Sequence, residues 1–176
     1  DIISDLSPIN LSEPRGLYRN KDLHLIKPRT TKEVSVCLKL ATKYKICVVP
    51  WSGGPGLVGG QIALDKYHVT LSLERMNKIN SFSEVNQSIE VEAGVILQSI
   101  HEFVGTKNFF FPLSMASKGS CRIGGNLATN AGGIGVLKYG NARDLCLGLE
   151  VVLADGSIIN DIKTLKKDNT GEDLKN

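Results

Sequence analysis

At 176 residues and 19.1 kDa the chain is sized for one domain or a piece of a larger one. Hydrophobic residues make up 41% and charged residues 22%, which supports a buried core and excludes wholesale disorder. The net charge of +3 is dispersed, with no basic arm to suggest nucleic acid, and no apolar run approaches the roughly 20 residues of a membrane helix.

The opening residues, Asp1 to Asp5, read as neither signal nor transit peptide, and the missing Met predicts a processed or excerpted product. Residues 1–21 are expected to form an N-terminal extension. Leu23 to Ile26 predicts a short strand ending at Pro28. Thr30 followed by Glu33 is a capping-box signature, and Val34, Cys37, Leu38, Ala41 and Tyr44 make a helical apolar face. Ile46 to Val49 reads as a strand buried on both faces, and Val69 to Leu73 is another β-prone run. This order predicts a small parallel unit over residues 20–75.

Ser88 to Glu92 alternates like a half-exposed strand. Ile96, Leu97, Ile100, Phe103 and Val104 form the face of a second helix, and Phe109 to Phe111 predicts an aromatic strand end at Pro112. Gly148 to Ile159 reads as a hairpin turning at Asp155-Gly156. Lys166 to Asn176 is polar and lacks a terminating element, as in an interrupted domain. The four cysteines form no CxxC pair and are expected to be buried free thiols in a reducing compartment. Three scattered histidines make a zinc site improbable.

Glycine carries the functional signal. Of 18 glycines, five fall in Gly53–Gly60 and eight between Gly119 and Gly148. Two clusters predict two loops that meet at one ligand. Gly54 to Gly59 matches GxGxxG after a strand, with Glu74 20 residues beyond Gly54. A Rossmann loop, however, opens a crossover helix of ten or more residues, and Gln61 to His68 is too short and too poor a helix former. What remains is a loop able to present successive N–H groups to an anion such as pyrophosphate. The second segment, Lys118 to Gly133, combines paired glycines with hydroxyls and carboxamides. That composition suits a planar ring lying on the backbone with its polar edge hydrogen-bonded, as a flavin would.

With these residues in view the chain resembles the FAD-binding domain of the vanillyl-alcohol oxidase / para-cresol methylhydroxylase flavoproteins. The blocks are Pro50–Gly60, Leu71–Asn77, Glu92-Ala-Gly94, Gly119–Gly133 and Tyr139–Gly156. It is most similar to the D-2-hydroxyglutarate dehydrogenase branch, through Ala116–Gly133, Leu149–Gly156 and Lys167–Gly171; D-lactate dehydrogenases and glycolate oxidase subunits share much of this.

The resemblance implies an α+β fold over residues 22–176, incomplete at its C-terminus. A small parallel β/α unit and a larger antiparallel sheet with helices would hold FAD between them. Gly53, Gly54, Gly56, Leu57, Val58, Gly59 and Gly60 would cradle the pyrophosphate. Pro112, Ser117, Gly119, Ser120, Gly124, Asn126, Thr129, Asn130, Ala131, Gly132 and Gly140 would line the flavin and its linker. With no histidine in these loops, non-covalent FAD is expected. Ser52 and Pro55 stand where relatives carry Gly and Thr, and Glu172 where they carry Tyr.

The resemblance further implies a 2-hydroxy-acid substrate and an electron acceptor such as an electron-transfer flavoprotein or cytochrome. Catalytic residues and any divalent metal would lie in a C-terminal substrate domain. Localisation would be mitochondrial in a eukaryote and cytoplasmic in a bacterium. The competing readings are a non-catalytic truncated or splice product that keeps the fold, and a nicotinamide-binding Rossmann domain.

Overall fold

The computed structural model describes residues 12–20, 24–64 and 67–163. The first layer is the expected parallel unit. Strand β1 (Leu25–Ile26) leads into helix α1 (Thr31–Tyr44), then β2 (Cys47–Trp51) and β3 (His68–Ser72). The sheet runs β1-β3-β2, all parallel, with Leu25 and Val49 both opposite Thr70.

Helix α1 starts where its caps dictate. Thr30 Oγ1 accepts from the Glu33 N–H at 3.2 Å, and the Glu33 carboxylate reaches the Arg29 N–H at 2.7 Å, one residue earlier than a capping box requires. The helix ends at Lys45, in the left-handed conformation at φ 54°. Val34 and Ala41 are buried as expected, whereas Tyr44 is exposed. The buried stripe stops at Ala41, and the Lys43 ammonium stands 5.3 Å from the Tyr44 ring centre.

Strand β2 corrects a second expectation. It is not buried on both faces: Cys47 and Pro50 are exposed, and Val48 and Val49 are half-buried. The sheet order explains this. The central strand β3 carries the burial, while β2 has a neighbour on one side only, which is also why it tolerates Pro50. Cys47, at the open start of this edge, is likewise not a buried thiol, although Cys121 is. Cys37 is half-buried, and burial together with the Glu33 carboxylate raises its thiol pKa.

The second layer begins with an antiparallel hairpin, β4 (Ile79–Ser83) and β5 (Ser88–Val91), in which Phe82 faces Ile89. Helix α2 (Leu97–Gly105) follows, then the short helices α3 (Ile123–Ala128) and α4 (Val136–Tyr139). Their shared core is Val95, Leu97, Ile100, Val104, Leu113, Cys121, Ile123 and Ala142. Phe109 to Phe111 form no strand. Phe109 turns inward to meet Phe82 edge-on at 5.3 Å, Phe111 packs on the same core, and Phe110 stays exposed. The demand for apolar contact on alternate sides decides this segment, with no partner strand.

The chain closes on the predicted hairpin, β6 (Leu149–Val152) with β7 (Ile158–Asp161). The turn needs Gly156 at φ +81°. Three hydroxyls of α1 hold this hairpin: Thr31 donates to Glu150 Oε1, Ser35 to the Gly156 carbonyl and Thr42 to the Ala154 carbonyl. The antiparallel part is thus two separate pairs of strands among the described residues. The expectations for Lys166–Asn176, Lys167–Gly171 and Glu172 lie outside the described residues.

Glu74 has its own structural task. Its carboxylate pairs with Lys27 Nζ at 2.6 Å and accepts from Ser72 Oγ at 3.2 Å, tying the end of β3 to the chain after β1. Burial would raise its pKa from 4.5, but Lys27, Ser72 and Arg122 outweigh it and hold the carboxyl lower.

Two outcomes are expected. Leu97→Ala removes a fully buried side chain and should cost about 2–5 kcal/mol in urea unfolding, while Val85→Ala, 94% exposed, should stay within about 0.5 kcal/mol of the parent. The Glu74 pair stabilises the fold above the unfolded carboxyl's 4.5, and this contribution fades as pH falls below that value. Glu74→Gln should therefore lower stability at pH 7 by less than about 1 kcal/mol, solvent screening included, and lose its effect in acid. Parallel pH–stability curves would show that the pair contributes nothing.

Candidate functional site

The two glycine segments touch. A Cβ on Gly53 would collide with the Ser120 carbonyl, and one on Gly125 would lie 2.6 Å from Ser52 Oγ. The start of the first loop is therefore pressed against the backbone that leads into α3, and only hydrogen at these two Cα positions permits it. Gly124 packs as closely on Ala93. The Gly94 carbonyl accepts from Arg122 Nη1 at 2.6 Å. Three of the sequence blocks thus converge on one place.

The backbone of the first loop has a distinctive hydrogen-bond inventory. Its carbonyls are taken: Gln61 Nε2 donates to Gly54 at 3.3 Å and Gly56 at 2.7 Å, Arg15 Nη2 to Leu57, and the Ile62 N–H to Gly59 at 2.9 Å. Among the described residues, the N–H groups of Gly53, Gly54, Gly56, Leu57, Val58, Gly59 and Gly60 donate to no protein acceptor. A trans peptide points its C=O and N–H in opposite directions. Holding the Gly56, Leu57 and Gly59 carbonyls therefore aims the N–H groups of Leu57, Val58 and Gly60 the other way. No helix opens from this loop among the described residues, as the spacing to β3 required.

The second segment divides in two. Ser117 and Gly119 lie in a single 3-10 turn over Ala116–Gly119, whose Ser117 carbonyl accepts from the N–H groups of Ser120 and Cys121 at 2.9 and 2.8 Å. Several side chains expected at the ring have partners within the protein instead. Asn126 is buried, with Nδ2 3.5 Å from Cys121 Sγ. Thr129 Oγ1 returns to the Gly125 carbonyl at 2.9 Å. Asn130, left-handed at φ 47°, accepts from the Arg143 N–H at 3.0 Å. Ala131 receives the Ala142 N–H at 3.0 Å, fixing the turn that carries Gly140. Gly132 and Gly133 keep N–H groups with no protein partner.

Pro112 lies apart from the first loop. With His101, Phe110, Phe111, Ser114, Ile134 and Tyr139 it lines a groove of about 620 Å³. His101 Nε2 is 2.8 Å from the Leu113 carbonyl, a structural contact. Two polar groups at the junction have unspent hydrogen-bonding capacity: Ser52 Oγ and Arg122 Nε are buried without a partner. Sequence reasoning missed Gln61 and Arg15 as holders of the loop, because contacts between side chain and carbonyl leave no spacing signature. Among the described residues no three His, Cys, Asp or Glu could hold a metal, and no helix is long and apolar enough to cross a membrane.

A dinucleotide with a flavin ring fits this arrangement: a run of free N–H groups, two buried polar atoms at a loop junction, and glycine backbone beyond it. The family described as "FAD binding domain" matches residues 23–161. The chain belongs to this family. Its cofactor is FAD. The chain is 43% identical over 171 residues to the mitochondrial D-2-hydroxyglutarate dehydrogenase of Bos taurus, covering 97% of this chain and 31% of that protein. It is 46% identical over 151 residues to the protein of the same name from Rattus norvegicus, covering 86% and 28%. It therefore spans about a third or less of the length of the curated relatives it matches. Among solved structures, alkyldihydroxyacetonephosphate synthase superposes with TM-score 0.78 at 20% identity, over 93% of this chain and 31% of that one, which shows the shared fold.

Gly53→Ala should separate the two segments and cost about 1–3 kcal/mol of stability. Gly60→Ala, with nothing within 4 Å of the new methyl, should be nearly neutral. Equal melting temperatures for the two variants would refute the tight junction.

Proposed function

We propose that the chain is the FAD-binding part of a flavin-dependent D-2-hydroxy-acid dehydrogenase that oxidises D-2-hydroxyglutarate to 2-oxoglutarate. The observation that carries the cofactor half of this reading is the set of unpartnered N–H groups over Gly53–Gly60. The likeness to the two D-2-hydroxyglutarate dehydrogenases supports the substrate.

In this reading Gly53, Gly54, Gly56, Leu57, Val58, Gly59 and Gly60 bind the pyrophosphate through backbone N–H groups, which need no side-chain charge. Gln61 orients one of those peptides, Gly56–Leu57, from behind and also holds the Gly54 carbonyl. Ser117, Gly119, Ser120, Gly124, Asn126 and Thr129 shape the backbone beneath the flavin and its linker. Pro112, Asn130, Ala131, Gly132 and Gly140 continue it. Thr129 and Asn130 act by fixing this backbone through Thr129 Oγ1 and Asn130 Oδ1, and Asn126 by its buried contact with Cys121. Ser52 Oγ supplies a further hydrogen bond at the junction. FAD, when bound, supplies a two-electron acceptor for the hydride of the substrate α-carbon. The described residues contribute binding and orientation. The base for the hydroxyl proton and the clamp for the carboxylate are assigned to the remainder of a full-length protein, as is any divalent metal. Binding is non-covalent, because His24, His68 and His101 all lie outside both glycine segments. An electron-transfer flavoprotein or cytochrome would accept the electrons, in the mitochondrion of a eukaryote.

Full-length protein should bind FAD in preference to FMN or NAD, and reduce an artificial dye with D-2-hydroxyglutarate faster than with D-lactate. Faster turnover of D-lactate would overturn the substrate assignment; absence of flavin absorbance after reconstitution would overturn the cofactor site. Pro55 denies the loop one N–H and one hydroxyl. Pro55→Thr should tighten FAD binding by about 1–2 kcal/mol in calorimetry, the worth of one charge-assisted hydrogen bond.

A further inference from the structure

The turn over residues 12–20 lies ahead of the family match, yet it is built with care. Ser12 and Arg19 pair across it in antiparallel fashion. Glu13 is 1% exposed and folds the chain around its carboxylate, accepting the Arg15 N–H at 2.7 Å and the Leu17 N–H at 2.6 Å. Burial would raise the Glu13 pKa, but the N–H groups of Arg15, Leu17 and Tyr18 hold it below its usual value. A buried carboxylate satisfied by its own turn makes that turn rigid.

The turn presents two side chains to the first glycine loop. Arg15 Nη2 donates to the Leu57 carbonyl. Tyr18 lays its ring against Gly59, where a Cβ would stand 2.6 Å from ring atom Cδ2. Gly59 adopts φ +79° and is followed by Gly60, with open space at its Cα. Gln61 holds the Gly56 carbonyl and Ile62 the Gly59 carbonyl, but the side chains between them add little, since Leu57 is 49% and Val58 82% exposed.

We propose that the turn Glu13–Tyr18 is a positioning element for the first glycine loop: Arg15 fixes the Leu57–Val58 peptide and Tyr18 seats Gly59, so the loop's N–H groups stand preset for the FAD pyrophosphate. The geometry assigns separate tasks to the two residues. Arg15 acts on direction. By taking the Leu57 carbonyl it turns the Val58 N–H to the opposite side, where it is free. Tyr18 acts on place. Its ring fills the space where a side chain at 59 would stand, and it limits the excursions of a glycine pair that is otherwise entropically costly to order. Neither residue touches the cofactor in this account. Preorganisation of this kind raises affinity by removing an ordering cost from the binding step. The inference rests on the cofactor reading given above, but its first consequence, a restrained loop, does not.

Full-length protein carrying Tyr18→Ala, Tyr18→Phe or Arg15→Met provides the test. Arg15 is half-exposed, and the buried Glu13 carboxylate, 3.9 Å from Arg15 Nε, keeps the backbone N–H groups of residues 15 and 17 when Arg15 becomes Met. Without FAD, thermolysin cleavage at Gly56–Val58, mapped by mass, should accelerate about tenfold in Tyr18→Ala and Arg15→Met, as a local opening equilibrium predicts. The FAD dissociation constant should rise about tenfold in both. Tyr18→Phe keeps the ring and should match the parent in both measurements. Parental cleavage in Tyr18→Ala and Arg15→Met would overturn the positioning role. Faster cleavage with an unchanged dissociation constant would overturn its link to the cofactor. A parent protein that binds no FAD would instead sink the cofactor reading, while the cleavage rates still judge the restraint.

Discussion

Two parallel strands joined without a helix leave their connection with hydrogen-bonding capacity it cannot satisfy internally. That constraint governs this chain. β2 and β3 pair in parallel register from Cys47 opposite His68 to Trp51 opposite Ser72. The usual parallel crossover spends its N–H groups inside a helix. Here the connection spends four carbonyls, those of Gly54, Gly56, Leu57 and Gly59, on Gln61, Arg15 and Ile62, and among the described residues the N–H groups from Gly53 to Gly60 keep no protein acceptor. An anion is the natural complement of such a surface, and water serves in its place. A loop connected in this way can offer an anion a row of backbone N–H groups.

The remaining architecture keeps this loop in place. The Gly53–Ser120 contact joins it to the segment before α3, and α3 is seated on Ala93 and bound by Arg122 to Gly94. That turn in turn lies between the hairpin β4–β5 and the core of α2. On the other side, hydroxyls of α1 grip the hairpin β6–β7, so the end of the described chain is tied to its beginning. Close backbone approach is used repeatedly at Gly53, Gly94, Gly124 and Gly133. This makes the site stiff and also intolerant, because a single methyl at Gly53 has nowhere to go.

The dispersal of family signals along the sequence has a physical reading too. Blocks separated by tens of residues meet at one junction, and each supplies a glycine or a small residue for that meeting. Two residues that look like ligands in the sequence, Thr129 and Asn130, hold main-chain groups, while Asn126 meets the Cys121 sulfur. Polar side chains in a glycine-rich segment have two possible clients, the ligand and their own main chain. Where the main chain has lost its regular partners, it claims them first.

The sequence by itself determined the periodic elements: the cap at Thr30, the apolar faces of α1 and α2, the Asp-Gly hairpin and the parallel order of the first unit. Local chemistry fixes each of these, so they can be read locally. It also determined that the connection after β2 is too short for a crossover helix, which removed the Rossmann reading. Tertiary structure alone decided that β2 is an edge strand, that Phe109 to Phe111 remain outside any sheet, and that the weakly patterned Ile79–Ser83 is a strand. It alone brought Arg15 and Tyr18 to the glycine loop and Glu74 to Lys27. Burial and pairing depend on which neighbour arrives from far along the chain, and side-chain contacts to backbone carbonyls impose no spacing that a sequence can display.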